Sequence, residues 1–133
     1  MTSTSHPVYQ GRCHCGAVRF EVDVEHPTEL VYCNCSVCVR TRYIHLIVAK
    51  DKFRLLSDPA AITGYQFNTG TAVHSFCSTC GVKSYYVPRS HPDGYSVNAR
   101  CLIDFDWEHM PVTTFDGRDY ESNLERLQND VVL

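Results

Sequence analysis

Seven of the eight cysteines lie in three short motifs, and clustered thiols of this kind bind metal ions or carry redox chemistry. Eight cysteines in 133 residues are about 6%, fewer than in a disulfide scaffold. Metal binding is therefore the first hypothesis. The motifs are Cys13-x-Cys15, Cys33-x-Cys35-x-x-Cys38 and Cys77-x-x-Cys80, while Cys101 stands apart.

The motif Cys77-x-x-Cys80 is typical of a zinc knuckle, because Gly81 allows the left-handed backbone that closes such a turn. A thioredoxin-like redox pair is the alternative, but it needs a helix that begins at the first cysteine, and the sequence 82–87 favours a strand. Structural zinc takes four ligands, and the pair Cys13 and Cys15 supplies the other two if an extended backbone sends both side chains to one face. Unpaired core thiols are the remaining alternative.

Cys33, Cys35 and Cys38 place three thiols within six residues. Three protein ligands leave zinc one open position, which is typical of a catalytic site. Zinc lowers the pKa of a bound thiol, so this site suits chemistry at sulfur. A fourth protein ligand would make it structural instead, and the candidates are Cys101, His45 and His74.

Strand patterns surround these motifs. From Ala17 to Val24 apolar and polar residues alternate, as in a half-buried strand. One helical turn is expected within Cys35–Arg42, and a short helix near the C-terminus is indicated by the spacing of Tyr120, Leu124 and Leu127. The sequence thus predicts a mainly β domain with a short C-terminal helix. Further strands are expected at 30–32, 43–49, 53–56, 62–68, 72–76, 82–87 and 95–99.

Length and charge place the chain among ordinary globular proteins. Its 133 residues predict a single domain over 1–133, and the net charge of −3 argues against nucleic acid and anionic membranes as partners. The N-terminal segment has neither the basic start nor the apolar stretch of a signal peptide, so the expected compartment is the reducing cytoplasm.

The order and spacing of the cysteine motifs match a known family, together with several segments around them. From about Gly11 to Asp104 the chain resembles the family of glutathione-dependent formaldehyde-activating enzyme and centromere protein V. On this reading residues 11–104 form the family-like core, and residues 105–133 form a C-terminal extension. The matching segments are Gly11–Phe20, Cys33–Cys38, Tyr65–Gly70, Phe76–Val82, Pro88–Pro92 and Asn98–Leu102.

The resemblance implies a Mss-four-like, zinc-bound fold of several small antiparallel sheets. It implies a structural zinc on the four cysteines of the first and third motifs and a catalytic zinc on the middle three, hence two zinc ions per chain. The implied activity joins formaldehyde to glutathione or a similar small thiol, and its reverse cleaves a carbon–sulfur bond. The candidate substrate-binding residues are Arg40, His45, Asn68, Thr69, Asn98 and Cys101.

Two other functions are compatible with the sequence. A zinc-stabilised module that binds a thiol or a protein without catalysis would have the same cysteine motifs. A redox or zinc-buffering protein would lose its zinc readily to a mild oxidant. The oligomeric state is left open by the sequence.

Overall fold

The structure, a computed structural model, describes residues 7–24, 29–66, 73–117 and 120–130. Short strands make up most of it, with one helix of six residues and one of eleven. The helices are α1 (Ser36–Thr41) and α2 (Tyr120–Asp130). The strands are β1 (Val8–Arg12), β2 (Arg19–Asp23), β3 (Leu30–Cys33), β4 (Ile44–Ala49), β5 (Phe53–Leu55), β6 (Ile62–Tyr65), β7 (His74–Cys77), β8 (Tyr85–Tyr86), β9 (Gly94–Asn98) and β10 (Val112–Phe115).

The strands form three sheets. Their strand orders are β1-β2-β5, β10-β3-β4-β9-β8 and β6-β7. All pairs are antiparallel except β10 and β3, which run parallel from Val112 opposite Leu30 to Phe115 opposite Cys33. The mainly β class with several small sheets and a short C-terminal helix is therefore confirmed, and the parallel pair is a feature that the sequence pattern did not reveal.

The alternation from Ala17 to Val24 predicts the burial correctly. Val18, Phe20, Val22 and Val24 are all at most 1% exposed and form part of the main core. Gly11 of β1 lies opposite Phe20 in β2, and any side chain at Gly11 would overlap the Phe20 ring. The N-terminal sheet is thus held closely against the core that leads to the first cysteine motif.

Several predicted boundaries differ from the structure. The strand expected over 82–87 is only Tyr85–Tyr86, because its first residues complete the turn of the cysteine motif. The strand expected from Ala17 begins at Arg19, and bends occupy residues 14–18. Strands β1 and β10 were not predicted. No helix among the described residues is long and apolar enough to cross a membrane.

A second, smaller core lies around the middle cysteine motif. Leu127 of α2 and Phe115 of β10 are buried there against Val31, Cys33 and Cys38. The helix suggested by the spacing of the C-terminal apolar residues is therefore present. It packs where the three-cysteine motif lies, so the chain end contributes to that site.

Candidate metal centres

The first centre is built from the two outer cysteine motifs, 62 residues apart in sequence. The Sγ atoms of Cys13 and Cys15 are 3.7 Å apart, and those of Cys15 and Cys77 are 3.6 Å apart. A tetrahedral zinc ion with Zn–S bonds of about 2.3 Å holds its sulfurs about 3.8 Å apart. Together with Cys80, all four sulfurs lie within 4.8 Å of one another. Four soft ligands at this spacing fit a closed zinc site.

Backbone N–H groups support the sulfurs of this centre. The N–H groups of Thr79 and Cys80 donate to Cys77 Sγ at 3.4 Å, and that of Val18 donates to Cys13 Sγ at 3.3 Å. The Cys80 N–H lowers the pKa of the Cys77 thiol, against the effect of burial. Hydrogen bonds of this kind stabilise thiolates, which are the form that binds metal.

Glycines close the two turns of the first centre. Gly16 and Gly81 have φ angles of +84° and +81°, the left-handed region expected for a knuckle. The extended backbone predicted for Cys13 and Cys15 is wrong, because residues 14–18 bend. The bend still brings both sulfurs together.

The second centre lies where β3 passes into α1. Cys33 ends the strand, Cys35 is the N-cap of the helix, and Cys38 lies in its first turn. The Cys38 N–H donates to Cys35 Sγ at 3.4 Å, as in a helix cap, and the Cys35 N–H donates to Cys33 Sγ at 3.4 Å. The three sulfurs lie within 4.8 Å of one another.

The protonation of these three thiols shows that the cluster favours a cation. Hydrogen bonds from Cys33 and then Cys38 lower the pKa of Cys35 to about 2. The same pairing raises the pKa of Cys33 to about 11 and raises that of Cys38 further. One thiolate is thus shared by three sulfurs, because like charges so close disfavour further ionisation. A divalent cation that prefers thiolates would remove this restriction, so the cluster fits zinc.

His45 contacts the second centre from β4. Its Nε2 is 3.5 Å from Cys38 Sγ, and its Nδ1 lies 2.8 Å from Ser96 Oγ and 3.4 Å from the Tyr86 hydroxyl. Burial lowers the pKa of His45 to about 3, so the ring is neutral. When the two hydroxyls donate to Nδ1, the neutral ring carries its proton on Nε2, next to the Cys38 sulfur.

None of the predicted fourth ligands joins the three sulfurs. His45 contacts Cys38 but lies outside the group of mutually close ligand atoms. The Nδ1 of His74 lies 2.6 Å from Lys83 Nζ. Cys101 Sγ lies 3.9 Å from the backbone oxygen of Lys83, and burial raises the pKa of its thiol. Among the described residues the second centre therefore offers three candidate ligands.

The other candidate substrate-binding residues are dispersed. Arg40 is exposed on α1 and donates to the Ser36 carbonyl. Asn98 is buried, and its amide bonds the backbone at Lys83 and Arg100. The Arg40 contact lies within its own helix, and the Asn98 contact to Arg100 caps the short helical turn that follows Asn98. Asn68 and Thr69 lie outside the described residues.

Gly117 is a residue of the second centre that sequence reasoning missed. It follows β10 and is buried, and a Cβ placed on it would overlap Cys33 Sγ and lie 2.8 Å from Cys35 Cβ. The backbone after β10 therefore lies directly against two of the three cysteines. The parallel pairing of β10 with β3 produces this approach, and a parallel pairing between distant segments leaves no signal in local periodicity.

A family profile described as glutathione-dependent formaldehyde-activating enzyme matches residues 8–115, which include both cysteine clusters. The chain belongs to this family. The resemblance found from the cysteine motifs is therefore confirmed. The match also includes β10, so the matched region ends two residues before Gly117.

Two individual proteins are similar to this member of the family. A Halomonas elongata protein with the name of glutathione-dependent formaldehyde-activating enzyme is 53% identical over 32 residues, which are 24% of this chain and 20% of that relative. The chain thus spans about a fifth of that relative's length. A crystal structure of a Rhodobacter sphaeroides protein is 36% identical with a TM-score of 0.69, and the match covers 78% of this chain and 99% of that one.

Proposed function

We propose that the protein is a zinc-dependent enzyme of carbon–sulfur bond chemistry that adds a small thiol, with glutathione the leading candidate, to formaldehyde or a related aldehyde. The observation that carries this proposal is the three-cysteine cluster with no fourth protein ligand among the described residues. Family membership supports the choice of thiol and aldehyde. The eight cysteines are free thiols, which supports a reducing compartment such as the cytoplasm.

The two cysteine clusters would have different roles. Cys13, Cys15, Cys77 and Cys80 would hold a structural zinc, and Cys33, Cys35 and Cys38 would hold the catalytic one. Zinc with three thiolate ligands supplies Lewis acidity, which lowers the pKa of a thiol that enters its open position.

In the proposed reaction the substrate sulfur attacks the carbonyl carbon of the aldehyde. A carbon–sulfur bond forms, the carbonyl π bond breaks, and the oxygen takes up the proton that the thiol released. The reverse reaction cleaves the carbon–sulfur bond, as in a lyase. His45 would hold the Cys38 sulfur through its Nε2 proton, with Ser96 and Tyr86 fixing the ring.

The test compares the wild-type protein with the triple variant Cys33→Ser, Cys35→Ser and Cys38→Ser. Cys101→Ser is the matched control, because Cys101 belongs to neither cluster. Magnetisation transfer between ¹³C-labelled formaldehyde and its glutathione adduct measures the exchange rate at equilibrium. We expect the wild type and Cys101→Ser to accelerate exchange above the uncatalysed rate and the triple variant to lose this acceleration. Equal rates with wild type and triple variant would refute the proposed activity and favour a binding module.

A further inference from the structure

Lys83 is a buried lysine that the proposed reaction does not use. It is 7% exposed, and its Nζ lies 2.6 Å from His74 Nδ1. The same Nζ lies 4.1 Å from the centroid of the Tyr86 ring and 4.8 Å from that of Tyr43. We call these four residues the lysine box. Two aromatic faces and one nitrogen acceptor suit an ammonium group.

The box accepts a charged lysine because His74 is neutral. Burial, followed by the charge of Lys83, lowers the pKa of His74 to about 4, so its Nδ1 can accept a hydrogen bond from the ammonium. Burial lowers the pKa of Lys83 itself to about 8. The side chain is therefore still mostly cationic at pH 7.

A buried ammonium requires negative charge nearby. In the described ranges, the ion pairs join Arg54 to Glu21 and Asp23 and join His109 to Asp106, and none of them includes Lys83. The negative charge that suits Lys83 is that of the second centre, which the box adjoins through Tyr86 and His45.

The lysine box shares side chains with the second centre. The Tyr86 hydroxyl lies 3.4 Å from His45 Nδ1, and the rings of Tyr43 and His45 have centroids 4.6 Å apart. His45 in turn contacts Cys38 Sγ at 3.5 Å. The cation of Lys83 is thus separated from the cluster by a layer of uncharged rings, which keeps its field from being screened by water.

We propose that Lys83 is the cation that offsets the negative charge of the three-cysteine centre and thereby favours the thiolate form of a substrate thiol bound there. This inference rests on the proposed function. Three thiolates and one divalent zinc carry a net charge of −1, and a substrate thiolate would make it −2. Lys83 returns the total to −1. It acts through space behind Tyr86 and His45, so it is a positioning residue rather than a catalytic one.

The charge effect predicts two measurable changes in Lys83→Met, which keeps most of the side-chain volume. For unit charges roughly 10 Å apart at an effective dielectric constant near 20, the affinity of the centre for an anion changes by about tenfold or slightly more. The pH at which a bound thiol ionises should therefore rise by about one unit. Thiocyanate, an inorganic anion, should bind the Co²⁺-loaded three-cysteine centre about tenfold more weakly, while metal retention at the four-cysteine centre is unchanged.

The experiment uses protein loaded with Co²⁺, whose thiolate charge-transfer absorption reports each sulfur that binds. Glutathione is added between pH 6 and 9, and the pH midpoint of the new absorption is measured. Lys50→Met is the matched control, because Lys50 is an exposed lysine outside the box. His74→Gln is a second control, because it changes the box but keeps the cation and an acceptor. Retention of one Co²⁺ at the four-cysteine centre verifies folding.

We expect a midpoint about one unit higher in Lys83→Met and no shift in either control. A Lys83→Met midpoint within 0.3 unit of wild type, or an equal shift in His74→Gln, would overturn the proposal. If Lys83→Met does not fold, Lys83→Gln takes its place under the same criteria. Failure of the proposed function is distinct: wild-type protein would show no glutathione-dependent absorption, and the thiocyanate affinity would still test the charge effect of Lys83.

Discussion

Replacing both Cys13 and Cys15 by serine should remove the four-cysteine centre and the long cross-link that it makes. Serine is close to cysteine in size, so the double substitution creates little cavity, and its effect on stability should come from the metal site. The Cys15 sulfur lies 3.6 Å from that of Cys77, across 62 residues of sequence. By contrast, Cys35 belongs to a cluster whose outer members, Cys33 and Cys38, are close in sequence.

Loop lengths give the size of the effect. Closing a loop of 62 residues reduces the entropy of the unfolded chain by an amount worth about 4 kcal/mol at 25 °C. Closing the short loop of the three-cysteine motif is worth about 2 kcal/mol less. The double variant of Cys13 and Cys15 should therefore lower the free energy of unfolding by about 4 kcal/mol, and Cys35→Ser by at most about 2 kcal/mol.

Urea unfolding with excess zinc and a non-chelating reductant measures these changes. Cys101→Ser is the control for replacing a sulfur by an oxygen outside both clusters, and a loss below about 1 kcal/mol is expected there. Equal losses in the double variant and Cys101→Ser would refute the view that the four-cysteine centre joins distant parts of the chain. A larger loss in Cys35→Ser than in the double variant would refute the dependence on loop length.

Two further substitutions test particular contacts. Gly117→Ala should destabilise the protein by about 1–3 kcal/mol and release metal from the three-cysteine centre first, because its Cβ overlaps Cys33 Sγ. Metal retention and urea unfolding would measure this, and preferential loss from the four-cysteine centre in Gly117→Ala would contradict the contact. The pKa of His74 is lowered from 6.5 to about 4 in the folded protein. Its contribution to the free energy of unfolding is therefore fully present above pH 6.5 and is lost as the pH falls towards 4. The loss amounts to at most about 3 kcal/mol. His74→Gln should flatten the fall in unfolding free energy over that range, and an unchanged slope would contradict the assignment.

The sequence predicted the parts of the site whose geometry is local. Cys77 and Cys80 lie on a tight turn with Gly81, and both the turn and its positive φ follow from the residue types. Cys35 is the N-cap of α1, and Cys38 lies in the first turn of this helix. The helical turn predicted for this segment is therefore present. The burial of alternate residues around Phe20 follows from the strand period.

The parts that were missed depend on pairing between distant segments. Strand β10 joins β3 in parallel, and this pairing brings Gly117 against Cys33. The residue pattern around Lys83 predicts a strand. The turn of the cysteine motif extends into this segment, however, and only Tyr85 and Tyr86 pair with another strand. A lysine at such a position is expected to face water, and only the fold encloses it between the rings of Tyr43 and Tyr86.

The most direct test of the account is the zinc content per chain, measured on gently purified wild-type protein and on the triple variant of Cys33, Cys35 and Cys38 to serine. We expect about two zinc ions per chain in the wild type and about one in the triple variant, whose fold is retained by the four-cysteine centre. About one ion in both proteins would contradict it, since the middle cysteines would then not be the ligands of a second zinc.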